Sequence, residues 1–372
     1  MTVISPASET ELADLLRGAQ EPFHIVGGGT RGIGGSVVGD PLETARLSGI
    51  TLYEPGALTL VVAAGTPIAD VEAALAAEGQ RLPFEIPDLR GLMRRDGQST
   101  IGGVAATNAS GPRRIQAGAC RDSMIGVRFV DGTGTVVKNG GRVMKNVTGY
   151  DLVKLLAGSH GTLGVLTEVA FKLLPVPETS ATLVLPGLDL TRAVAAMAAA
   201  IGSPFEVTGA AHWPGEGTFL RIEGFAASVA YRAGQLSRLL ASFAEAGIED
   251  HVAGAARWAQ IRDVMPFHDR SGDVWKLSVT PSAAPGIAAR LEAEALLFDW
   301  GGGLIWALMA KGVDLRAKFG AFPGHATLVR ANAEGSAAIS TFQPEVPALA
   351  AITAGLRARF DPKGLLNPGL MG

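Results

Sequence analysis

Residues 27–32 read Gly-Gly-Gly-Thr-Arg-Gly and follow directly on Phe23–Val26, a short segment that the pattern predicts as a strand. Glycine adopts positive φ angles and carries no Cβ, so such a run can present main-chain amides to a phosphate. The run also satisfies the G-x-G-x-x-G pattern of a Rossmann dinucleotide site through its first, third and sixth residues. A Rossmann site needs a helix directly after the last glycine, but Ile33 to Pro41 contains three more glycines and a proline. We therefore favour a phosphate-binding loop outside a Rossmann domain, with a plain surface loop as the alternative.

Two more segments share this small-residue character. Residues 97–114 lose all periodicity and are rich in Gly, Ala, Ser and Thr, and residues 158–164 read Gly-Ser-His-Gly-Thr-Leu-Gly. A long irregular segment inside a compact domain is usually functional. Three such loops suggest one large ligand with a diphosphate and a polar heterocycle. The sequence contains no G-x-x-x-x-G-K-[ST] motif, which disfavours an ordinary nucleoside triphosphatase.

The elements around these loops follow ordinary signals. Ser8 and Glu11 form a capping box that predicts a short opening helix. A strand is expected over 58–64, and Thr66-Pro67 then starts a second helix. Residues 125–130 and 135–138 predict a hairpin around Asp131-Gly132. A further strand over 165–174 ends at two prolines, and we place the main domain boundary there, near residues 175–180.

The second half alternates helical and strand-like segments, which is typical of an α+β domain. Helices are expected over 190–201, 230–246 and 287–297. Strands are expected over 219–224 and 275–279. The last residues are rich in turns yet apolar enough to dock on a surface.

Composition excludes several classes of protein. The chain has 372 residues, is 47% hydrophobic and carries a net charge of −3, so neither disorder nor general affinity for nucleic acid or an anionic membrane is expected. No apolar stretch is long enough to span a bilayer, and the first residues lack the features of a secretory signal. The cytoplasm is therefore the expected location. With one cysteine, Cys120, and six histidines, the sequence has no Cys/His cluster for a metal or an iron–sulfur centre.

Taken together, these motifs identify a family. They occur in order at residues 26–30 (Val-Gly-Gly-Gly-Thr), 101–108 (Ile-Gly-Gly-Val-Ala-Ala-Thr-Asn), 110–114 (Ser-Gly-Pro-Arg-Arg), 143–151 (Val-Met-Lys-Asn-Val-Thr-Gly-Tyr-Asp), 158–168 (Gly-Ser-His-Gly-Thr-Leu-Gly-Val-Leu-Thr-Glu) and 367–369 (Asn-Pro-Gly). This series resembles the FAD-linked oxidases of the vanillyl-alcohol oxidase fold, and within them the smaller flavin subunits of bacterial glycolate oxidases. The resemblance implies an α+β chain with a two-part FAD-binding domain over residues 1–175. A smaller α+β domain over 180–355 would follow, with a tail over 356–372 docking back near the FAD domain.

The resemblance also implies which residues hold FAD. The diphosphate would lie on Gly27, Gly28, Gly29, Thr30 and Arg31. The flavin and ribityl chain would be lined by Thr100, Gly102, Gly103, Asn108, Ser110 and Gly111, with backbone contacts from Gly161, Gly164, Val165 and Leu166. Arg113 and Arg114 would balance charge on the diphosphate or the reduced flavin, or else form a solvated or ion-paired arginine pair. Relatives with covalent flavin have a histidine in the first glycine loop, and this loop has none, so FAD is expected to be non-covalent.

The catalytic residues are harder to place. The related catalytic subunits carry an H-x-G-D-G-N-x-H motif that this chain lacks. The remaining candidates are Lys276, His325 and Arg330, with a structural histidine as the alternative for His325. No metal site is expected on this chain.

The resemblance implies an FAD-binding subunit of a 2-hydroxy-acid (glycolate-type) oxidoreductase, with a second flavin subunit and an iron–sulfur subunit as partners. Such a complex would lie in the cytoplasm or peripherally at the inner membrane through those partners. One alternative is a self-sufficient flavin oxidase or dehydrogenase for D-lactate, an alditol or a lactone. The other is a non-catalytic FAD-binding assembly subunit.

Overall fold

The computed structural model describes residues 3–33, 37–141, 149–331 and 339–371. Within these ranges the strands are β1 Phe23–Val26, β2 Asp40–Glu43, β3 Ile50–Glu54, β4 Thr59–Ala63, β5 Gln80–Arg81, β6 Met124–Val130, β7 Val136–Gly140, β8 Val165–Lys172, β9 Leu174–Pro175, β10 Thr179–Leu185, β11 Gly209–Trp213, β12 Gly217–Gly224, β13 Gly247–Glu249, β14 Asp273–Val279, β15 Ala295–Asp299, β16 Leu304–Met309 and β17 Gly324–Arg330.

The α-helices are α1 Glu9–Gly18, α2 Ile68–Ala77, α3 Arg90–Met93, α4 Ile101–Ala106, α5 Arg114–Ala117, α6 Cys120–Ser123, α7 Leu152–Leu156, α8 Leu190–Ile201, α9 Ala226–Leu240, α10 His251–Arg262, α11 Ala284–Ala288, α12 Leu315–Phe319 and α13 Pro347–Phe360. Most of the sequence motif at 143–151 lies outside the described residues.

Two antiparallel sheets organise the chain. A five-stranded sheet, in the order β3-β4-β8-β6-β7, is built from the first half. An eight-stranded sheet, in the order β13-β10-β12-β11-β15-β16-β14-β17, is built from the second. The short strands β1 and β2 pair in parallel beside the first sheet. The mixed α and β architecture agrees with the α+β class that the sequence predicts.

The five-stranded sheet has an apolar core on each face. On one face, buried residues of α2, α4 and α7 pack on the inner strands, with Phe129 and Phe171 among the fully buried side chains. On the other face, Leu12 and Leu16 of α1 pack with Leu365 and Leu366 of the C-terminal tail. The tail is fixed there because Asp361 accepts hydrogen bonds from the amides of Leu365 and Leu366.

The eight-stranded sheet is covered on one face by α8, α9, α11 and α12, where Trp275 and Leu277 are fully buried. Side chains alternate along a strand. Lys276 therefore points to the opposite face of the sheet, where Val274 and Trp306 pack. This alternation decides which residues of the second half can reach a ligand held by the first.

Several predicted elements are confirmed. Ser8 caps α1 by accepting a hydrogen bond from the amide of Glu11. The hairpin forms as β6 and β7, and α8 spans Leu190–Ile201 as expected. The second helix begins at Ile68, one residue later than expected, so Pro67 occupies the cap position.

Three expectations are wrong. Residues 97–114 were expected to be an irregular loop, but Ile101–Ala106 forms α4, capped by Thr100, because tertiary packing of its small side chains outweighs the low helix propensity of two glycines. The helix expected over 287–297 ends at Ala288, and Ala295–Asp299 is instead a central strand. A buried strand and a buried helix cannot be distinguished by a short apolar run. The helix expected over 230–246 starts four residues earlier and ends at Leu240.

Candidate functional site

A cleft of about 510 Å³ opens beside β1, at the loop that follows it. Eleven of the residues predicted to hold FAD line this cleft: Gly27, Gly28, Gly29, Thr30, Arg31, Thr100, Gly102, Gly103, Gly161, Gly164 and Leu166. The predicted residues Asn108, Ser110, Gly111, Arg113, Arg114 and Val165 are not among its lining residues. The cleft thus brings the three glycine-containing segments together, although more than 40 residues separate each from the next.

Close main-chain packing explains the glycines at positions 27 and 28. A Cβ on Gly28 would lie 1.5 Å from the carbonyl oxygen of Gln98, and a Cβ on Gly27 would lie 2.5 Å from Thr100 Oγ1. No real side chain tolerates such distances, so only glycine allows the first loop to lie against residues 98–100. The walls that result are main chain and small side chains, which is the surface that a long polar cofactor needs.

Helix α4 forms a second wall of the cleft. Thr100 Oγ1 accepts a hydrogen bond from the amide of Gly103 at 3.3 Å, and Gly102 donates its amide to the carbonyl of Ala64 at 2.7 Å. A Cβ on Gly102 would lie 2.7 Å from that same carbonyl oxygen, so α4 can approach β4 only with glycine there. Gly103 differs, because a Cβ there would meet only Thr100 Oγ1, at 3.3 Å.

Arg31 supplies a positive charge to the lining of the cleft. Its Nε donates to Ser99 Oγ at 3.1 Å and its Nη2 donates to the carbonyl of Pro87 at 2.6 Å. Burial lowers the pKa of Arg31 to about 10, so the guanidinium remains charged at neutral pH. The side chain therefore fixes the loop at residues 87–99 and places a cation beside the first glycine loop.

His160 lies within the third glycine segment, residues 158–164, and lines the cleft. Its φ of +51° is in the left-handed region, which costs a non-glycine residue about 1–2 kcal/mol. The conformation is held from both sides, because the His160 amide donates to Ala106 and the His160 carbonyl accepts from Asn367 Nδ2 at 2.8 Å. Asn367 Oδ1 in turn accepts from the amide of Ile25. The tail motif thus ties β1 to the third glycine segment.

The imidazole of His160 packs edge-on against Phe342, with ring centroids 5.0 Å apart. Burial, with a contribution from the charge of Lys276, lowers the pKa of His160 to about 4. The ring is therefore neutral at physiological pH. Sequence reasoning missed His160 as a site residue, even though it lies within a quoted motif, because its segment was considered only for main-chain contacts.

A cationic recess lies at the His160 end of the cleft, and we define it by Lys276, Arg114, Asp299, Trp300 and Trp306. Lys276 Nζ lies 5.3 Å from the ring centroid of Trp300 and 5.7 Å from that of Trp306, which faces Lys276 across β14 and β16. The guanidinium of Arg114 lies 4.6 Å from the Trp300 ring. Two cations therefore share one aromatic wall, although like charges repel.

The electrostatics of the recess are unusual. Burial and the neighbouring charge of Arg114 lower the pKa of Lys276 to about 8. Burial raises the pKa of Asp299 to about 7, although Asp299 accepts a hydrogen bond from the amide of Trp300. Within the part of the chain that the structure describes, Lys276 Nζ has no hydrogen bond or ion pair. Such perturbed groups beside an aromatic wall are typical of functional sites.

Trp300 is held rigidly in this recess. Its φ of +54° is left-handed, and its indole Nε1 donates to the carbonyl of Gly111 at 3.1 Å. Gly111 and Arg114 belong to the first half of the chain, whereas Lys276 of β14 and Trp300, directly after β15, belong to the second half. The recess is thus assembled from both halves.

The three catalytic candidates have different environments. Lys276 lies in the recess, and His325 of the neighbouring strand β17 pairs with Ser278 of β14. Burial, then the charges of Lys276 and Arg114, lower the pKa of His325, so it lies near the recess. Arg330 is not part of the cleft or the recess. Its Nη1 donates to the carbonyls of Leu92 and Phe267, and its Nη2 donates to that of Arg270.

Arg113 and Arg114, which sequence reasoning treated as a pair, point to different places. Arg113 donates two hydrogen bonds to Glu223, at 2.8 and 3.0 Å, within a buried ion-pair cluster that we define as Arg81, Glu85, Arg113, Arg221 and Glu223. Arg114 instead turns to Trp300 and to Ser110 Oγ. Arg113 is therefore ion-paired, whereas Arg114 lies in the recess.

Comparison with known proteins agrees with this geometry. The family model of the FAD binding domain matches residues 2–140. The chain is 35% identical over 353 residues to the glycolate oxidase subunit GlcE of Escherichia coli, covering 94% of this chain and 92% of that protein. The chain is a member of the FAD-linked oxidoreductase family. It binds FAD, and the predicted family and enzyme class are confirmed.

A D-lactate dehydrogenase of Anaerostipes hadrus is 33% identical over 168 residues, which cover 45% of this chain and 33% of that enzyme. A solved alkyldihydroxyacetonephosphate synthase superposes with a TM-score of 0.69 at 17% identity, covering 99% of this chain and 76% of that one. This likeness confirms the predicted vanillyl-alcohol oxidase type of fold. Within the described ranges, no helix has the length and apolar character required to cross a bilayer.

Proposed function

We propose that this FAD-linked oxidoreductase is the smaller flavin subunit of a glycolate-type complex that oxidises a 2-hydroxy acid. The observation that carries the proposal is the cleft with main-chain walls that ends, at His160, beside a recess containing Lys276 and Arg114. A cleft of this kind suits FAD, and two cations next to it suit a small carboxylate. The similarity to GlcE over almost the whole chain supports the same function.

Each group at the site has a distinct role in this proposal. Bound FAD supplies the two-electron acceptor for oxidation of an alcohol. The first glycine loop and Arg31 bind the diphosphate, since main-chain amides and a guanidinium are the donors that phosphate prefers. Lys276 and Arg114 orient an anion, and the indole walls of the recess exclude water from it. His160, being neutral, can accept a proton at an imidazole nitrogen.

We also propose how FAD is held, where electrons pass, where the complex lies and how the chain divides into domains. FAD is held non-covalently, because the first glycine loop contains no histidine. Electrons pass between this chain, a second flavin subunit and an iron–sulfur subunit, which supplies the iron–sulfur cluster. The complex lies in the cytoplasm or on the inner membrane surface through those partners. The chain divides into two domains near residue 175, and the separate pairing of strands in the two sheets supports this boundary. Residues 356–372 return to the FAD domain.

Two alternatives have some support. The similarity to a D-lactate dehydrogenase favours a self-sufficient flavin enzyme, but it covers less than half of this chain. A non-catalytic FAD-binding assembly subunit is favoured by the placement of Arg330, whose donors contact main-chain carbonyls away from the cleft. Direct reduction of the flavin by substrate separates these alternatives.

The test of the proposal is the Gly103→Val variant. Its side chain fits against Thr100 and projects into the cleft, so we expect loss of bound FAD with little change in the far-UV circular dichroism. Gly234→Val is the matched control, because Gly234 also lies in a helix but has no atom within 4 Å of its Cβ position. In the wild type, acid precipitation should release FAD into the supernatant. Wild-type flavin occupancy in Gly103→Val, or colour that stays in the pellet, would contradict the proposed site or its non-covalent character respectively.

A further inference from the structure

Two arginines, Arg31 and Arg95, line the cleft beside β1, and no carboxylate is among its lining residues in the part of the chain that the structure describes. Arg31 is buried, and its Nε and Nη2 already donate to Ser99 Oγ and to the carbonyl of Pro87. These hydrogen bonds hold the Arg31 side chain in place. Arg31 therefore adds charge to the cleft from a fixed position.

Arg95 differs from Arg31 in both exposure and hydrogen bonding. Its side chain is exposed, and it forms no ion pair with any carboxylate that the structure describes. Its Nη1 lies 3.4 Å from the carbonyl oxygen of Gly29, which is long for an N–H···O hydrogen bond. The same atom lies 2.7 Å from the position that a Cβ on Gly32 would take. The guanidinium of Arg95 thus lies directly against the first glycine loop, where a weak hydrogen bond holds it.

The main-chain amides of this loop also have donors to offer. Over the described ranges, none of the amides from Gly27 to Gly32 donates a hydrogen bond to a protein acceptor. Gly29 has a φ of +70°, and a left-handed residue within such a run lets neighbouring amides converge on an anion. The loop and Arg95 therefore present hydrogen-bond donors and positive charge at the same part of the cleft.

We propose that Arg95 binds the diphosphate of FAD and completes the anion site that the first glycine loop forms. This inference rests on the proposed placement of the diphosphate on that loop. The guanidinium exchanges its weak bond to the Gly29 carbonyl for charge-assisted bonds to phosphate oxygens, which are about twice as strong as bonds between neutral groups. The charges of Arg31 and Arg95 together balance the two negative charges of the diphosphate.

Two other roles for Arg95 fit less well. A role in holding the loop would require a strong bond, whereas the bond to Gly29 is long and the side chain is exposed. A role as an ordinary solvated arginine leaves its position against the glycine loop unexplained. The neighbouring Arg94 shows the contrast, because it is exposed too, but its Nη2 donates to the carbonyl of Arg270 at 3.0 Å and it does not line the cleft.

The experiment measures ligand affinity and thermal unfolding of the full chain, with and without FAD. In Arg95→Gln we expect the dissociation constant for FAD to rise at least about tenfold, since hydrogen bonds to a charged group are lost. ADP, which contains the diphosphate but no flavin, should lose affinity by a similar factor. Arg95→Lys should recover part of the loss, because an ammonium keeps the charge but not the planar fork. Arg94→Gln is the matched control and should bind both ligands like the wild type.

The melting temperature of the FAD-free chain provides a readout for a merely structural role, and it should be the same in Arg95→Gln and in the wild type. An equal drop in melting temperature with and without FAD would overturn the inference. So would unchanged FAD affinity in Arg95→Gln, a loss for FAD with none for ADP, or an equal loss in Arg94→Gln. If Gly103→Val loses FAD while Arg95→Gln retains it with wild-type affinity, the proposed cleft stands and this inference alone fails.

Discussion

Lys276 is the residue that we propose binds an anion in the recess. It lies in a recess with Arg114 and two indole rings, and the structure shows no carboxylate paired with it among the described residues. Because burial and Arg114 lower the pKa of Lys276 to about 8, its charge changes near physiological pH. A group whose pKa is lower in the folded state than in the unfolded state adds to stability as pH rises between those two values. Binding of an anion by Lys276 should instead weaken as pH rises, because the amine loses its positive charge.

We therefore predict that a small dicarboxylate such as oxalate binds the FAD-loaded protein less tightly above about pH 8. The dissociation constant should rise about tenfold per pH unit there, because only the protonated amine attracts an anion. Lys276→Arg should bind with little dependence on pH up to 9.5, since guanidinium remains charged, and Lys276→Met should bind weakly throughout. Titrations followed by the flavin absorption spectrum measure all three. A wild-type affinity that is constant from pH 6.5 to 9.5 would show that Lys276 does not contact the anion.

Eleven of the predicted FAD-binding residues line the cleft, and the glycine-rich motifs that contain most of them are visible in the sequence itself. Lys276 was also identified as a candidate. The partners of Arg330 could not be predicted, since they are carbonyls of residues 92, 267 and 270, far apart along the chain. His160 was missed because its segment was considered only for main-chain contacts, and its neighbours Phe342 and Asn367 are near it only in three dimensions.

Among the elements, β12 has an unexpected connecting role. Arg221 and Glu223 of this strand pair with Glu85 and Arg113 of the first half, which joins the eight-stranded sheet to loops of the first half through the buried ion-pair cluster. Burial alone would raise the pKa of Glu223, but the hydrogen bond from Arg113 and the charges of Arg221 and Arg113 hold that pKa well below its usual range. Glu85 shows the same direction of shift, so the stability that both carboxylates contribute is present at neutral pH and is lost as pH falls below their unfolded pKa values, near 4.5.

Glu223→Gln should therefore destabilise the protein by about 3–5 kcal/mol, because it leaves buried arginines without a counter-charge. Glu206→Gln is the control, since Glu206 pairs with Arg232 but is 75% exposed, and it should cost less than about 1 kcal/mol. Urea unfolding at pH 7 measures both free energies of unfolding. Equal effects of the two substitutions would show that the cluster does not stabilise the contact between the two halves of the chain.

Most elements with clear local signals were predicted from sequence, such as α1 with its capping box and α8 with its regular apolar face. Helix α4 was missed because its residues are small and carry no periodic pattern, and it is stabilised by contacts with β4 and β8. Strand β15 was mistaken for part of a helix. Its position between β11 and β16 is decided by pairing partners that local sequence does not specify.

For the molecule as a whole, the arrangement favours a flavin carrier over a complete oxidase. The cleft is closed by the returning tail, in which Leu366 pairs with Phe23 and Asn367 connects two cleft segments. The recess offers two cations, and the neutral imidazole of His160 lies near it. The sequence contains no H-x-G-D-G-N-x-H motif, and the candidate His325 lies on an exposed part of β17.

We therefore predict that the isolated chain, even with full FAD, is reduced slowly by 2-hydroxy acids. A substrate must have its carboxylate bound, its hydroxyl proton removed and its reacting carbon positioned, and loss of a well-placed base typically costs about 10²–10⁴-fold in rate. Anaerobic rapid mixing with glycolate and with each enantiomer of lactate measures flavin bleaching directly. The same measurement on the chain co-purified with its partner subunits is the comparison, and only that sample should be reduced rapidly. Rapid bleaching of the isolated chain would instead establish a self-sufficient enzyme, with His160 and Lys276 as the first residues to substitute.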